Sequence, residues 1–568
     1  MALWGLSPIW GPDLAVVPIL ANVGVAVFPA ILAGAASVIA VALSPRRLWA
    51  AIRKRPAVAG LSVAAVAALV ALVLMPGARS DSARGAVSAS ASSGAVAGAP
   101  ALSDAQWLQL AQDYLSYQRA RARQAASVTS GHQHDAARTA GALQPAGPEP
   151  RDDNHSAGFR IDVGRSGADG GASPRSLERL WSRDIDGGMV LSSVTPHGER
   201  LFAAATELHP PLSLGTLVAL DVNTGRELWR VQELNLGSDN WVDCMGFFSS
   251  PAVSGDGSAV VIGQGLHLDR DSALLCFDAA TGDLRWRVPT PLHIESSPAI
   301  EGNIVVAGAG AVESVETHVL VEGDNPGYVF ATAIDSGQEL WRYQVRDPES
   351  SPVLSDGVVY IGSGVSGNAV LALRARESDA DLAAQGLERE LWRSATPYPA
   401  VGAVSLRGDL VLIGCGTGNY IYVDANPVGA VLALDRTTGA ERWRASFADA
   451  VLGAVATAGD RAVVGVRDGT VVCLNLADGS QRWRSVARTG DTLLASPALT
   501  DSTVYVMTSS GWLVVMDADT GAVLEQHYAN TPGQSGQMGI TVSSPVVYRE
   551  HVYVGTETAG VVAYEGLP

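Results

Sequence analysis

A tryptophan-containing repeat in the C-terminal two-thirds of the chain limits the possible folds more than any other feature. Residues Ala219–Trp229 read ALDVNTGRELW, and residues Cys276–Trp286 read CFDAATGDLRW. The motif Asp-x-x-Thr-Gly predicts a tight turn, because the aspartate can accept hydrogen bonds from turn N–H groups and the glycine can adopt a positive φ. The tryptophan follows on the next strand, where its large surface can fill the gap between neighbouring sheets.

Degenerate copies of this unit continue to the C terminus. The tryptophan recurs at Trp181, Trp229, Trp286, Trp341, Trp392, Trp443 and Trp483. The turn glycine recurs at Gly225, Gly282, Gly337, Gly439, Gly479 and Gly521. Glu525 stands where one further tryptophan is expected. A Ser-Ser-Pro-like start and a Val/Ile/Tyr-rich strand precede the turns, and four strands in a repeat of ~40–50 residues are typical of a propeller blade.

The count of repeats predicts how the ring closes. A final unit begins at Ile540 and stops before its last strand, whereas Leu177–Trp181 supplies a strand of that type without the rest of a unit. We therefore predict an all-β domain over residues 177–568, an eight-bladed β-propeller whose N-terminal strand completes the last blade and removes the open edges.

These repeats resemble the pyrroloquinoline-quinone (PQQ) repeat family, which includes eight-bladed quinoprotein dehydrogenases and BamB-type outer-membrane assembly propellers. The resemblance covers about Leu177 to Pro568 and is specific for the fold. It implies either an enzyme or a protein-binding scaffold, because the family contains both.

The N-terminal region predicts membrane attachment. Leu14–Leu43 and Ala57–Met75 are apolar and long enough for two transmembrane helices within residues 1–76. Five positive charges in the loop Arg46–Pro56 predict that it stays cytoplasmic, which places the propeller on the periplasmic or extracytoplasmic side of a bacterial inner membrane. Arg46–Met75 can also be interpreted as a signal peptide, and then the second apolar segment would be cleaved.

Residues 77–176 predict a linker rich in alanine, serine and glycine, with a helix at 103–126 and disorder over 127–176. The net charge of −18 disfavours a nucleic-acid partner. The four cysteines show no CxxC spacing, so buried thiols and disulfides both stay open for Cys244, Cys276, Cys415 and Cys473.

The resemblance to quinone enzymes implies one candidate cofactor residue. The segment Gly416–Asn419, followed by Gly429–Asp435, is similar to the dehydrogenase stretch whose asparagine binds calcium, which makes Asn419 a candidate ligand beside PQQ. A glycine-rich strand end explains the same residues without a cofactor. The chain also lacks the adjacent cysteines and the Trp-Asp-x-Asp feature of those enzymes.

Alignment of the blades on their Ser-Ser-Pro starts gives a candidate metal site. Glu295 and Glu349 occupy the same position in adjacent blades, and His293 and Asp347 precede them by two residues, on the same strand face. If these strands line the channel, the group can bind a cation or an arginine of a partner. The alternative is a hydrated rim of ordinary polar residues.

The sequence as a whole favours a non-enzymatic, membrane-anchored scaffold for other envelope proteins, without a cofactor. The most apolar loop, Trp241–Phe248, is the predicted contact surface, with Trp241, Met245, Phe247 and Phe248 as candidates. A dehydrogenase that uses PQQ and Ca²⁺ is the first alternative. A ligand-sensing propeller is the second.

Overall fold

A computed structural model of the chain describes residues 159–567, apart from 171–172, 210–211, 238–239, 267–270, 311–326, 419 and 421–422. The transmembrane segments predicted within residues 1–76 and the helix predicted at 103–126 lie outside the described residues. In the part of the chain that is described, no helix has the length and apolar character needed to cross a bilayer.

The described residues form an eight-bladed propeller in which every blade is a four-stranded antiparallel sheet. The first strand, β1, spans Leu177–Arg183. Blade 1 contains β2 (Thr195–His197), β3 (Arg200–His209), β4 (Leu212–Asp221) and β5 (Glu227–Val231). The short pair β6 (Glu233–Asn235) and β7 (Trp241–Asp243) follows.

Blades 2 to 4 continue in chain order. Blade 2 contains β8 (Ala252–Val253), β9 (Ala259–Gln264), β10 (Ala273–Asp278) and β11 (Leu284–Pro289). Blade 3 contains β12 (Ala299–Glu301), β13 (Ile304–Gly310), β14 (Gly327–Ala333) and β15 (Glu339–Gln344). Blade 4 contains β16 (Val353–Ser355), β17 (Val358–Ser363), β18 (Ala369–Arg374), helix α1 (Asp379–Gln385) and β19 (Glu390–Ala395).

The remaining blades complete the ring. Blade 5 contains β20 (Ser405–Arg407), β21 (Leu410–Gly416), β22 (Gly429–Asp435) and β23 (Glu441–Phe447). Blade 6 contains β24 (Ala456–Ala458), β25 (Arg461–Gly465), β26 (Thr470–Asn475) and β27 (Gln481–Val486). Blade 7 contains β28 (Ala498–Leu499), β29 (Thr503–Met507), β30 (Trp512–Asp517) and β31 (Val523–Tyr528). Blade 8 contains β32 (Val546–Tyr548), β33 (His551–Gly555) and β34 (Val561–Gly566), and β1 pairs with β34 to complete it.

Strand position within a blade explains the hydrophobic pattern of the sequence. Both middle strands of a blade are covered by the neighbouring blades on their two faces, so runs such as β9 are buried at every residue. The outermost strands alternate instead, and in β27 only Trp483 is buried.

The repeated turn forms as the sequence predicts. Asp435 Oδ1 accepts hydrogen bonds from the N–H of Thr438 at 2.9 Å and from its hydroxyl at 2.9 Å. Gly439 then adopts a φ of +72° and donates its N–H to the Asp435 carbonyl at 2.8 Å. The hydrogen bond from Arg442, outweighing partial burial, lowers the pKa of Asp435 to about 2.

Each turn glycine packs under a tryptophan of the preceding blade, an arrangement that we call the Trp–Gly junction. A Cβ atom on Gly479 would lie 2.5 Å from Cε3 of Trp443, so only glycine fits there. The indole N–H of Trp443 donates to the Leu476 carbonyl in the next blade at 2.9 Å. The six pairs of this kind are Trp181–Gly225, Trp229–Gly282, Trp286–Gly337, Trp392–Gly439, Trp443–Gly479 and Trp483–Gly521. The repeat residues therefore hold neighbouring blades together.

Two blade junctions depart from this pattern. Between blades 3 and 4, Trp341 donates to the Ala375 carbonyl at 2.8 Å, and Arg389 lies 4.4 Å from the centroid of its ring. The polar insertion in blade 4 contains α1, which Ser378 caps. Between blades 7 and 8, Glu525 stands in place of tryptophan and accepts the N–H of Leu177 at 2.9 Å.

The described part of the predicted linker is not disordered. Residues 159–168, which we call the axial segment, form hydrogen bonds with blades 4 to 8, and Ala168 forms a parallel bridge with Val547. The prediction of disorder over 127–176 was therefore wrong for this part. The prediction failed because it relied on the low content of large apolar side chains. The contacts of this segment with the blades are made by arginine side chains and backbone carbonyls instead.

Candidate functional site at the propeller axis

Eight equivalent side chains, one from each blade, surround a cavity of about 90 Å³ on the axis of the propeller. Each belongs to the residue four positions before the start of a blade's innermost strand. Six of these side chains are apolar and two are carboxylates. In blade order they are Leu191, Phe248, Glu295, Glu349, Val401, Leu452, Leu494 and Val542.

A belt of serine hydroxyls lies next to this ring and links the blades around the axis. In six blade pairs the serine Oγ of one blade accepts the backbone N–H at the equivalent position of its neighbour. The donor and acceptor residues are Ser193 to Ser250 (3.0 Å), Ser250 to Ser297 (3.0 Å), Ser297 to Ser351 (3.0 Å), Ala454 to Ser496 (2.9 Å), Ser496 to Ser544 (3.0 Å) and Ser544 to Ser193 (3.2 Å). Ala403 and Ala454 replace serine in blades 5 and 6. The belt satisfies buried N–H groups and fixes the spacing of the blades.

The axial segment covers one end of the cavity. Its backbone carbonyls accept hydrogen bonds from the innermost strands of four successive blades: Val163 from Leu406 (2.7 Å), Gly164 from Thr457 (3.1 Å), Ser166 from Leu499 (2.7 Å) and Gly167 from Val547 (2.7 Å). Phe159 forms part of the cavity wall. The segment thus forms one backbone hydrogen bond with the innermost strand of each of blades 5 to 8.

Two buried arginines anchor the axial segment to the blades. Arg160 donates to the Ser496 carbonyl at 3.1 Å, to the Pro545 carbonyl at 3.4 Å and also to the Pro497 carbonyl. Arg165 donates to the Val404 carbonyl at 3.1 Å. Burial lowers the pKa of Arg160 to about 9 and that of Arg165 to about 10, so both stay charged at neutral pH.

The candidate metal ligands predicted from the blade alignment lie together at the cavity wall. His293 Nε2 is 4.0 Å from Glu295 Oε1 and 3.9 Å from Glu349 Oε1. One ligand atom from each of the three residues fits within 4.8 Å of the others. The His293 side chain is fully buried, and the glutamates are 14% and 18% exposed. Asp347 is not part of this group, because its carboxylate accepts the N–H of Val365.

Tyr420 shares the cavity with the two carboxylates. Its ring centroid lies 5.9 Å from that of Phe248, and its hydroxyl donates to the Leu452 carbonyl at 3.3 Å. Burial raises the pKa of Tyr420 well above its ordinary value, and the negative charges of Glu349 and Glu295 raise it further. The carboxylates of Glu295 and Glu349 on the wall of this cavity can attract cations.

The candidate cofactor residue cannot be placed, since Asn419 lies outside the described residues. The glycines on either side of it belong to strands: Gly416 at the end of β21 pairs with Gly429 at the start of β22. Thr417 continues this ladder, with its N–H donating to the Val428 carbonyl at 2.9 Å.

The predicted partner surface divides into buried and exposed residues. Phe247 is fully buried, and its backbone N–H and carbonyl both bond to the Thr206 hydroxyl. Met245 is only 8% exposed. Phe248 faces the axial cavity. Among the four candidates only Trp241 is well exposed, at 46%, because the segment leads into the innermost strand of blade 2. Contact of a partner with this loop stays a prediction, with Trp241 as its accessible residue.

Sequence reasoning missed Arg160 and Arg165. The available signal was the segment Phe159–Arg165, in which Phe159, Ile161 and Val163 alternate with polar residues inside a glycine-rich, charged region. Such alternation indicates a segment that packs against other residues. It does not predict the observed conformation, because the segment forms turns in which Arg160 and Ile161 have φ values of +64° and +69°.

A family model described as outer membrane protein assembly factor BamB matches residues 213–379 and again residues 379–566. The BamB protein of Xanthomonas campestris is 30% identical over 368 residues, which cover 59% of this chain and 84% of that protein. A quinate/shikimate dehydrogenase (quinone) of Acinetobacter baylyi is 24% identical over 40% of this chain, but the match spans only 28% of the dehydrogenase. The crystal structure of BamB from Moraxella catarrhalis aligns with a TM-score of 0.50 and 16% identity, covering 69% of this chain and 98% of that one. This structural likeness supports the fold alone.

Proposed function

Because the chain belongs to the family of the outer membrane protein assembly factor BamB, we propose that it is an extracytoplasmic scaffold that binds other proteins during assembly of the cell envelope. The observation that carries this proposal is the family match, which spans both halves of the propeller.

The geometry of the propeller is suited to a binding role. Trp–Gly junctions and the serine belt tie the blades into one ring. A closed ring is a stiff frame, and its connecting loops are where binding residues of such frames usually lie. Trp241 is the exposed aromatic side chain of the predicted contact loop, and tryptophan is enriched at the energetic centres of interfaces.

A photo-crosslinking experiment tests this proposal. The full chain is produced in its own bacterium with a photoreactive phenylalanine at Trp241, and separately at Leu228, an exposed position on the outer strand β5. We expect position 241 to give adducts with specific envelope proteins, identified by mass spectrometry. Equal adducts at both positions, or none at 241 in intact cells, would contradict a contact surface at Trp241.

We further propose that residues 1–76 anchor the propeller in the inner membrane with the propeller outside the cytoplasm. The support is the charge pattern of the loop Arg46–Pro56 between two apolar segments. Protease added to intact spheroplasts should then digest the exported propeller and leave a cytoplasmic control protein intact. Protection of the propeller until the membrane is lysed would overturn this topology.

A quinone-dependent dehydrogenase is the second candidate, and the similarity to the Acinetobacter enzyme favours it. The axial cavity does not fit a bound quinone cofactor, because its volume of about 90 Å³ is well below the ~300–1,000 Å³ of typical small-molecule sites. The four cysteines are free, buried thiols at separate places in the fold. Incubation of the purified chain with PQQ and Ca²⁺, followed by gel filtration, decides the matter: retention of one equivalent of cofactor absorbance would favour the enzyme over the scaffold.

A further inference from the structure

We propose that His293, Glu295 and Glu349 bind a divalent first-row transition-metal cation at the wall of the axial cavity. The proposal does not depend on the scaffold function, since it concerns a site on the axis and not a contact surface.

Two of the three distances between the ligand atoms are close to those found around a bound metal ion, and the third, between the two carboxylates, is within 4.8 Å. The two Nε2–Oε1 distances are 4.0 and 3.9 Å. Two ligands at about 2.1 Å from a tetrahedral metal ion lie about 3.4 Å apart, so each distance needs to shorten by only about half an ångström. Rotation of the glutamate side chains supplies that change, because both are partly exposed to the cavity whereas His293 is fixed by burial.

The donor atoms select the class of metal. One imidazole nitrogen and two carboxylate oxygens suit Zn²⁺, Mn²⁺ or Fe²⁺, whereas Ca²⁺ and Mg²⁺ prefer sites made of oxygen alone. Three protein ligands leave at least one coordination position for water. The adjoining cavity has room for several water molecules.

The positions of the ligands favour a built site over a polar rim. The other six side chains at the equivalent positions are apolar, so the two carboxylates are concentrated on one side of the ring. His293 lies behind them and not at the solvent-exposed edge.

Metal titration of glutamine variants tests the proposal. The full chain, stripped with EDTA and dialysed, is titrated with ZnCl2 by calorimetry as wild type, Glu295→Gln, Glu349→Gln and the double variant. Glu178→Gln is the matched control, because Glu178 is exposed on β1 at the outer edge of blade 8. We expect one Zn²⁺ per wild-type and control chain, with each site variant at least about tenfold weaker. Absence of binding by the wild type, or unchanged binding by the double variant, would overturn the proposal.

A spectroscopic measurement on the wild-type chain keeps the test decisive if a variant does not fold. Cu²⁺ binds nitrogen and oxygen sites more tightly than the other divalent ions of the series and reports its ligands by pulsed electron paramagnetic resonance. Bound Cu²⁺ should show the nitrogen modulation of one coordinated imidazole, and prior loading with a large excess of Zn²⁺ should reduce that signal. Bound copper without imidazole nitrogen, or with several imidazoles, would place the ion elsewhere and reject the site.

Discussion

The junction between blades 5 and 6 and the junction between blades 7 and 8 solve the same packing problem with different chemistry. At the first, Trp443 packs on Gly479 and donates to the Leu476 carbonyl. At the second, Glu525 replaces the tryptophan and accepts the Ser176 hydroxyl at 2.5 Å and the Leu177 N–H at 2.9 Å. The turn that would present a glycine is absent from blade 8, because its two outer strands, β34 and β1, are not consecutive in the sequence. A carboxylate there binds the incoming N-terminal strand instead.

The junction between blades 8 and 1 is also altered by the pairing of β1 with β34. Trp181 packs on Gly225, but its buried indole N–H has no acceptor among the described residues. The Val222 carbonyl, which corresponds to the acceptor in other junctions, takes its hydrogen bond from the Tyr553 hydroxyl at 3.1 Å. Closure of the ring by two strands that are far apart in the sequence therefore preserves the packing of tryptophan on glycine at this junction. It changes the hydrogen bonds of the junction.

Truncation that removes β1 should have the largest effect on the stability of the propeller. A chain that starts at Asp184 lacks β1 and leaves β34 as an open edge, whereas a chain that starts at Pro174 keeps β1 but lacks the axial segment. Six residue pairs join β1 to β34, and net backbone hydrogen bonds contribute ~0.5–1.5 kcal/mol each. We expect the shorter chain to lose more than about 5 kcal/mol of unfolding free energy relative to the longer one, and to aggregate.

Melting temperature and light scattering of the two truncated chains measure this difference. A third chain that starts at Phe159 serves as the reference and separates the contribution of the axial segment. If the chain from Asp184 had the same melting temperature as the chain from Pro174, β1 would not be the strand that closes the ring.

Substitution of a junction glycine should have the next largest effect. Gly479 has a φ of +70°, and a Cβ atom there would meet the ring of Trp443. Gly459 in the same blade has a φ of +58° and open space around it. Alanine at either position has the backbone cost of a positive φ, about 1–2 kcal/mol, and only Gly479→Ala adds a steric conflict of about 1–3 kcal/mol.

Urea denaturation of Gly479→Ala and Gly459→Ala distinguishes the two contributions. Equal destabilisation of both variants would mean that the tryptophan moves away freely and that the close Trp–Gly contact does not fix the blade spacing.

The difference between the regular and the closing junctions also explains what the sequence could predict. The turn and tryptophan positions are local patterns, so eight blades and the closing strand at Leu177 followed from spacing alone. The proximity of Glu295 and Glu349 could be predicted by aligning the blades, because the two residues occupy equivalent positions in adjacent blades. Arg160 bonds to carbonyls more than 300 residues away, and no local pattern encodes such contacts. The burial of Phe247 was missed because an apolar loop and a buried strand entry have the same composition.

Removal of the indole N–H should have a smaller effect that differs between junctions. Trp443→Phe leaves the buried Leu476 carbonyl without its donor, which costs about 1–3 kcal/mol in addition to the lost ring area. Trp181→Phe removes an N–H that has no acceptor among the described residues, so only ring area is lost. We expect Trp443→Phe to have a clearly lower melting temperature than Trp181→Phe. The reverse order would show that the indole hydrogen bond is not what distinguishes the two junctions.

Protonation of Glu525 should have the smallest effect, below about 1 kcal/mol, because the group is partly exposed. Partial burial raises the pKa of Glu525, but hydrogen bonds from Ser176, His527 and Leu177 outweigh it and leave the pKa below its ordinary value. Its contribution to folding is therefore present above pH about 4.5 and is lost as the pH falls through the lowered pKa. Glu525→Gln should flatten the loss of stability between pH about 5 and about 3, whereas the exposed control Glu178→Gln should follow the wild type. Identical acid melting curves for all three proteins would mean that the carboxylate does not hold the N-terminal strand, and that β1 is kept in blade 8 by its pairing with β34 alone.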